Sequence, residues 1–286
     1  MQKYYSKISA LIKGFILRNS VYCYYGQFLN FGDQLTPIIL RYYHFTPIYS
    51  HYIPSIPFIP KANFVSIGTL LQNTPSSFNG IVLGTGADNV RINLPNATIL
   101  AVRGKLTRNN LSITGREKIP LGDPGLLMNR IYPIEVQKKY KLGIIPHFVD
   151  LNQPCVKIWQ RSLKENITII SPQASPEVVI RKIKECNCIL SSSLHGIIIA
   201  DAFHIPAGRF VCRNTMPVID TKRHILHDHK YNDYYSSLNE HPEVLENPTG
   251  HESLNELLSI TRVAPNTVKE LQEHLHELFL SLKNFF

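Results

Sequence analysis

The chain has 286 residues, which fits one large domain or two lobes of ordinary size. Hydrophobic residues make up 44% of it and charged residues 18%, a composition that excludes an intrinsically disordered protein. The 30 Lys and Arg residues outnumber the 21 acidic residues. This net charge of +9 favours anionic partners: nucleic acid, a membrane surface or phosphorylated small molecules.

Cysteine usage and hydropathy predict a cytoplasmic protein. The five cysteines are scattered, and no second pair completes a zinc pattern with Cys186 and Cys188, so we expect buried, reduced thiols. Reduced thiols are typical of the cytoplasm. No segment reaches the roughly 20 apolar residues that span a bilayer. The first residues also lack the apolar core and cleavage site of a signal peptide.

The pattern over residues 1–20 predicts a basic amphipathic helix. Lysine and arginine are interspersed with apolar residues at helical spacing. These apolar residues are Tyr4, Tyr5, Ile8, Leu11, Ile12, Phe15 and Ile16. Such a helix lies either on an anionic membrane face or against the body of the protein, and the sequence favours neither.

Residues 21–137 predict a first α/β lobe. Short strands are predicted at 21–25, 63–68, 80–86 and 97–104, and helices at 33–43 and 105–111. The segment 46–60, rich in proline and aromatic residues, is predicted to be a connector. Alternation of apolar strands with helices and turns indicates a mainly parallel sheet.

Residues 138–250 predict a second lobe of the same kind, followed by a helical segment over 251–286. Strands are predicted at 141–148, 166–172, 188–193 and 208–213. Helices are predicted after Ser193, over 267–286, and over 176–186 with one face formed by Val178, Val179, Ile183 and Cys186.

Polar residues collect where the predicted strands end, which is where open α/β sheets bind ligands. Two lobes whose strand ends face each other would bring these residues around one cleft. They are Asp33, Gly84-Thr85-Gly86, Arg103, Asp123, His147 and the segment 191–195.

The segment SSSLHG, residues 191–196, carries the most specific chemistry. Small hydroxyl residues lead into a helix whose first N–H groups lack partners, which favours an anion. Gly196 allows a ligand close approach to the backbone, and His195 would contact the anion or transfer a proton. A serine cap beside a structural histidine explains the same residues equally well.

The other positions each have two explanations. Asp33 is either a helix N-cap or a carboxylate in the cleft. Arg103 is suited to a carboxylate or phosphate, but a surface salt bridge would explain it as well. The Gly84–Gly86 turn lacks the full dinucleotide-binding spacing.

The histidine-rich segment 222–230 is predicted to be a basic loop that contacts an anionic substrate. Its cation would be Lys230. We expect no metal there, because the spacing of His224, His227 and His229 matches no tight tetrahedral zinc pattern.

Taken together, the motifs NFGDQL, GTG, AVRGKLT, LGDPGLL, KLGIIPHFVD and SSSLHGIIIADAFHIP resemble those of the polysaccharide pyruvyl transferase family. The resemblance runs from about residue 20 to residue 240. It implies a GT-B-like fold of two Rossmann-like lobes with a cleft between them. It also implies transfer of pyruvate from phosphoenolpyruvate onto two hydroxyls of a sugar, which forms a cyclic ketal on a capsule or exopolysaccharide.

Two residues match the family's donor site. Arg103 matches an arginine implicated in holding phosphoenolpyruvate, and His195 matches a donor-site histidine thought to act in catalysis. Some members have an arginine immediately before Leu-His, where this chain has Ser193. The second donor cation is therefore open between Lys230, Arg213 and Arg209.

The strand-end positions and the resemblance together assign the roles. His195 is expected to be the acid or the partner of the phosphate, and Asp33 the base or a ligand of the acceptor sugar. Asp123 and His147 are expected to orient or bind the acceptor. The expected donor-binding residues are Arg103, Ser192, Ser193, Leu194, Gly196, Lys230, Gly84, Thr85 and Gly86.

These roles require no metal and no cofactor, since phosphoenolpyruvate is the donor substrate. The acceptor is expected to be a glycan or a lipid-linked oligosaccharide, with peripheral contact to the inner face of the cell membrane. The alternative function is a GT-B glycosyltransferase that uses a nucleotide-sugar donor. No partner nucleic acid is expected, because the sequence has no compact basic stripe and no nucleic-acid-binding motif.

Deletion of residues 1–18 is expected to reduce binding to anionic liposomes while activity on a soluble acceptor is retained. The physical reason is loss of a basic, amphipathic surface segment. Liposome co-sedimentation of the deleted and full-length chains measures this. A deleted chain that becomes insoluble would instead indicate that the segment packs on the protein body.

Overall fold

The computed structural model describes residues 19–27, 30–53, 60–213 and 221–286, with the backbone alone over 221–227. The predicted helix over residues 1–20 lies outside these ranges except for Asn19 and Ser20. Ser20 begins the first strand.

The first sheet has five parallel strands in the order β2-β1-β3-β4-β5. Every residue of β4 is buried, as expected when helices cover both faces of a parallel sheet. The strands are β1 (Ser20–Tyr24), β2 (Thr46–Tyr49), β3 (Phe64–Val65), β4 (Ile81–Leu83) and β5 (Thr98–Ala101).

The second sheet also has five parallel strands, in the order β10-β9-β8-β6-β7. When the strands are numbered within each lobe, both sheets have the order 2-1-3-4-5. The predicted pair of Rossmann-like α/β lobes is therefore confirmed. The strands are β6 (Tyr140–Ile145), β7 (Ile167–Ile169), β8 (Cys186–Ser191), β9 (Ala207–Val211) and β10 (Val244–Glu246). The lobe boundaries at 137 and 250 stay a prediction.

Helices cover the two sheets, and several of those in the described ranges contact elements of both lobes. The helices are α1 (Leu35–Tyr42), α2 (Lys105–Asn110), α3 (Met128–Ile131), α4 (Pro154–Ser162), α5 (Pro176–Lys184), α6 (Leu194–Ala202), α7 (Thr221–Leu238), α8 (Leu254–Ser259) and α9 (Thr267–Ser281). Helix α7 follows the second-lobe strand β9 but packs against α2 of the first lobe. In α9, the amide of Gln272 donates to Leu126 O and Ala202 O, both at 3.0 Å.

Three sequence expectations are wrong in detail. The connector predicted at 46–60 contains β2, an edge strand, where Pro47 is tolerated because one side of the strand has no partner. The basic loop predicted at 222–230 is the first half of α7. Val178 is 45% exposed and Cys186 begins β8, so neither belongs to the buried face of α5.

Among the described residues, no helix is long and apolar enough to cross a membrane. None of the five cysteines forms a disulfide, and Cys188 is the one that is only partly buried.

A buried ion pair holds α6 to the C-terminal part of the second lobe. Arg262 donates to both oxygens of Asp201, at 2.7 and 2.9 Å, and Tyr234 donates its hydroxyl to the same carboxylate at 2.7 Å. The Asp201 side chain is fully buried. An unpaired charge in such a place is costly.

The substitution Asp201→Asn is expected to lower the free energy of unfolding by on the order of 3 kcal/mol, because it removes the fully buried carboxylate that Arg262 pairs with and leaves this arginine only its more exposed ion pair with Glu240. Thermal unfolding of the variant and the parent measures the loss. An unchanged melting temperature would show that this pair does not stabilise the fold.

Candidate functional site

His195 lies at the start of α6, directly after β8, and reaches the first lobe. Its ring lies against the backbone of Gly32, where any Cβ atom would overlap Nδ1 of the imidazole. The Phe31 ring meets it edge-on at a centroid distance of 6.4 Å. The absence of a side chain at Gly32 therefore lets the two lobes close on this histidine.

The electrostatic surroundings keep His195 neutral. The residue is 7% exposed, and Nε2 has no hydrogen-bond partner among the described residues. Burial, followed by the positive charges of Arg103 and Lys230, lowers the pKa of His195 from 6.5 to about 3. At neutral pH the imidazole of the unliganded protein accepts a proton rather than supplies one.

The serines before His195 are largely engaged within the protein. Ser191 Oγ accepts from the Ser193 N–H at 3.0 Å. Ser192 Oγ donates to Asp150 Oδ2 at 2.6 Å and accepts from the His147 N–H at 2.9 Å. Ser193 occupies the N-cap position of α6, as the cap explanation expects, but its side chain makes no capping bond.

Leu194 and Gly196 shape the same turn. Leu194 is 4% exposed and belongs to the main hydrophobic core. A Cβ atom on Gly196 would overlap the Ser191 hydroxyl. Both positions fix the course of the backbone at the start of α6, and donor binding by them stays a prediction.

Arg103 follows β5 and is completely buried. Its Nε donates to Asp233 Oδ2 at 3.0 Å, and Nη1 donates to Thr69 Oγ1 at 3.0 Å. Nη2 has no partner among the described residues. The surface salt bridge considered for Arg103 is wrong, because the ion pair lies in the interior.

The glycine turn after β4 supports this arginine. A Cβ atom on Gly86 would overlap the guanidinium, so the turn provides the surface on which Arg103 lies. The Gly84 and Gly86 N–H groups donate to Ala101 O and Gly68 O, both at 2.8 Å. The Thr85 hydroxyl also donates to Gly68 O, at 2.9 Å. These donors are already engaged, and direct contact with a ligand stays a prediction.

Asp123 is a buried carboxylate near the same arginine. Its Oδ1 accepts from the Gly125 N–H at 2.9 Å and caps the short 3-10 turn Pro124–Leu127. Oδ2 has no partner among the described residues. Burial raises the pKa of Asp123 to about 6, although the nearby Arg103 charge opposes the rise.

Lys230 lies on α7, near charged groups of both lobes. Burial, together with Arg103 and Arg209, lowers the pKa of Lys230 to about 8, while Asp150 and Asp33 oppose the shift. Among the described residues, no carboxylate lies within salt-bridge distance of its ammonium. Its charge also adds to burial in lowering the pKa of His147, to about 3.

The other two candidates for a second cation are paired with carboxylates, although Nε of Arg209 has no partner among the described residues. Arg209 and Arg213 both donate to Asp228, and Arg213 also donates to Glu246 at 3.1 Å. The Arg209 guanidinium stacks over the Tyr231 ring at 3.8 Å. Of the three candidates, Lys230 is therefore the one without an ion pair within the described part of the chain.

Asp33 belongs to the 3-10 turn Phe31–Gln34, next to the glycine that contacts His195. Asn30, not Asp33, caps this turn, because the Asn30 side chain accepts from the Gly32 N–H. Burial raises the pKa of Asp33 to about 6, against the opposing charge of Lys230. The predicted cap is thus wrong, and the carboxylate lies within electrostatic range of the site.

Sequence reasoning missed three residues of this site: Gly32, Asp150 and Asp233. Asp233 would have been visible as a carboxylate one turn after Lys230 only if 221–238 had been predicted to be a helix. No group of three His, Cys, Asp or Glu residues within the described ranges is arranged to hold a metal ion.

Fold and site together define a two-lobed α/β protein with a cationic site at the strand ends of both sheets. A sequence model of the polysaccharide pyruvyl transferase family matches residues 32–211, so the chain belongs to that family.

Similarity to individual proteins is more distant. The chain is 25% identical over 229 residues to the succinoglycan biosynthesis protein ExoV of Rhizobium meliloti (strain 1021), covering 76% of this chain and 64% of ExoV. It is 32% identical over 160 residues to protein L143 of Acanthamoeba polyphaga mimivirus, covering 50% of this chain and 51% of L143. It thus spans less than two thirds of either relative.

Among solved structures, two of the wall teichoic acid polymerase TagF align weakly. They have TM-scores of 0.44 and 0.42 at 9% and 10% identity. The alignments cover 97% and 98% of this chain, and 91% and 98% of the TagF chains.

The substitution Gly32→Ala is expected to displace the His195 ring, because the new methyl group would overlap Nδ1. A ring displaced toward water is better solvated in its charged form, so the pKa of His195 should rise toward 6.5. NMR titration of the histidine Hε1 resonances measures the shift.

The control is Gly115→Ala, where a Cβ atom meets nothing within 4 Å; φ there is positive, at +74°, so this variant strains the backbone without contacting His195. This variant should leave the pKa of His195 unchanged. An unmoved His195 titration in Gly32→Ala would show that the ring does not depend on the contact between the lobes.

Proposed function

We propose that the protein transfers pyruvate from phosphoenolpyruvate onto two hydroxyls of a sugar, forming a cyclic ketal. The acceptor is a surface polysaccharide or its lipid-linked precursor. The observation that supports this most directly is that the buried His195 contacts Gly32 of the other lobe and lies within electrostatic range of both Arg103 and Lys230. Membership of the family and the name of ExoV, a succinoglycan biosynthesis protein, support the polysaccharide acceptor.

The donor is a small polyanion, and the site has cationic groups to meet it. Arg103 has one unpaired buried nitrogen, and Lys230 has an ammonium without a salt bridge in the described part of the chain. A bound phosphate and carboxylate would satisfy both, since charge-assisted hydrogen bonds are strong when desolvated. We therefore assign the second donor cation to Lys230.

The first proton transfer is assigned to Asp33. Phosphoenolpyruvate needs a proton on its methylene carbon before C2 can accept an oxygen nucleophile. Burial already raises the pKa of Asp33 to about 6, and a bound polyanion would raise that pKa further. Asp33 in its protonated form gives its proton to the methylene carbon, which becomes the methyl group of the ketal, and C2 becomes cationic.

His195 is assigned the opposite role. Its neutral imidazole takes the proton of the first sugar hydroxyl as that oxygen bonds to C2. The second hydroxyl then bonds to C2 and gives its proton to Asp33, while the C2–O bond to phosphate breaks and the phosphate leaves with the proton from His195. Both residues return to their starting states. This exchanges the acid and base roles expected from the sequence.

The reaction takes place, in this proposal, in the cytoplasm at the inner face of the membrane, where lipid-linked acceptors would be met. The basic composition of residues 1–18 and the net charge of +9 support such a peripheral contact with anionic lipid. No metal and no cofactor takes part in the proposed steps. Asp123 and His147 stay candidates for orienting the acceptor.

Incubation with phosphoenolpyruvate and candidate glycans is expected to increase the glycan mass by that of pyruvate less one water, with release of inorganic phosphate. Asp33→Asn should lower transfer by roughly 10²–10⁴-fold, the scale of a lost proton transfer. The same variant should bind phosphoenolpyruvate at least as tightly, because it removes a negative charge. Mass spectrometry and calorimetry measure the two effects.

The parallel experiment uses nucleotide sugars in place of phosphoenolpyruvate. Thermal stabilisation by a nucleotide sugar alone, with a hexose-sized mass gain, would replace the proposal by a glycosyltransferase. His195→Gln is the companion variant. Normal turnover in that variant would remove His195 from the mechanism.

A further inference from the structure

Arg103 reaches the site from the first lobe, but its partner comes from the second. Asp233 lies on α7, which follows β9, and its side chain is as fully buried as that of Arg103. The backbone carbonyl of Asp233 lies so close to Gly104 that no side chain fits there. Helix α7 at Asp233 is therefore packed tightly against the backbone that follows Arg103.

The carboxylate of Asp233 is itself held in one orientation. Oδ1 accepts from the Thr107 N–H at 2.8 Å, and Oδ2 accepts from the Thr107 hydroxyl at 2.7 Å. Both donors belong to the first turn of α2, which begins immediately after Arg103 and Gly104. Rotation of the carboxylate would break both bonds, so Oδ2 stays directed at the Arg103 Nε.

This geometry determines which guanidinium nitrogen is available. Nε donates to Asp233, Nη1 donates to Thr69, and Gly86 lies against the guanidinium group. Nη2 is left without a partner among the described residues. Without Asp233, hydrogen bonds from Nη1 alone would orient the guanidinium, and the direction of Nη2 would be less well fixed.

Asp233 also sets the distance between two cations. Lys230 precedes it by three residues on the same helix, and residues three apart share a helix face. The bond from Asp233 to Arg103 therefore fixes Lys230, on the second lobe, relative to the guanidinium of the first lobe.

We propose that Asp233 is a positioning residue for donor binding: it directs Nη2 of Arg103 at the donor and fixes the spacing between Arg103 and Lys230. This inference rests on the proposed function, since the donor is taken to be phosphoenolpyruvate. Asp233 itself touches no substrate and acts through Arg103.

A double-mutant cycle between Asp233 and Arg103 tests this, with phosphoenolpyruvate as the calorimetric probe. Asp233→Asn should weaken its binding roughly tenfold, within the range of coupling between residues of one ion-pair network. In an Arg103→Ala background the same change should have no further effect on affinity. It should also raise the melting temperature of Arg103→Ala, because it removes a buried carboxylate that has lost its partner.

Two further variants complete the design. Thr107→Val removes one bond to Asp233 and should weaken donor binding in the same direction but less, which keeps the test informative if Asp233→Asn does not fold. Asp201→Asn breaks another buried ion pair, with Arg262, and should lower the melting temperature without changing donor affinity.

The outcomes separate the two proposals. Parent affinity in Asp233→Asn, or an equal loss with and without Arg103, would overturn the role of Asp233 while leaving phosphoenolpyruvate as the donor. A parent protein that binds no phosphoenolpyruvate would overturn the proposed function, and this inference with it.

Discussion

The ion pair between Arg103 and Asp233 is the constraint on which the arrangement of the site depends. Both side chains are fully buried, and a buried ion pair contributes little net stability because desolvation offsets the attraction between the charges. Its effect here is geometric. It fastens α7, a helix of the second lobe, to the end of β5 and the start of α2 in the first. The lobes are thereby joined at the point where the cations collect.

The matching strand orders explain why polar residues of the two lobes meet. In each sheet the order reverses between the first and third strands of that lobe, and such switch points leave a crevice beyond the strand ends. The 3-10 turn after β1 carries Gly32 and Asp33, the loop after β6 carries His147, and the first turn of α6, after β8, carries His195. The Phe31 N–H donates to Pro172 O at 2.8 Å, so these crevices face each other across a direct backbone contact.

The sequence predicted what depends on local pattern. Short apolar strands and the residues at their ends follow from periodicity and composition, so His195, Arg103 and Asp33 were identifiable. Helix α7 was not, because residues 221–238 are polar, rich in histidine and tyrosine, and lack a clear apolar stripe. Strand β2 was not predicted because it contains Pro47, which is tolerated in a strand at the edge of a sheet. The edge position is a property of the sheet and not of the local sequence. Asp233 and Gly32 matter to the site because each contacts a residue of the other lobe, Arg103 and His195 respectively. A contact between lobes leaves no local pattern in the sequence.

The contact between the two lobes buries His195 and Lys230, and the resulting pKa values have a consequence for ligand binding. Burial and neighbouring cations lower the pKa of His195 to about 3 and that of Lys230 to about 8, so positive charge is unfavourable in the unliganded site. Burial alone would favour an uncharged ligand, but the site also holds the guanidinium of Arg103 and the ammonium of Lys230, which favour an anion. A polyanion relieves their mutual repulsion and raises the pKa of Lys230, His195 and Asp33 together. Donor binding thus promotes protonation of Asp33, the assigned acid, and makes the neutral imidazole of His195 a stronger base, which favours a small, highly charged donor over a larger and more weakly charged one.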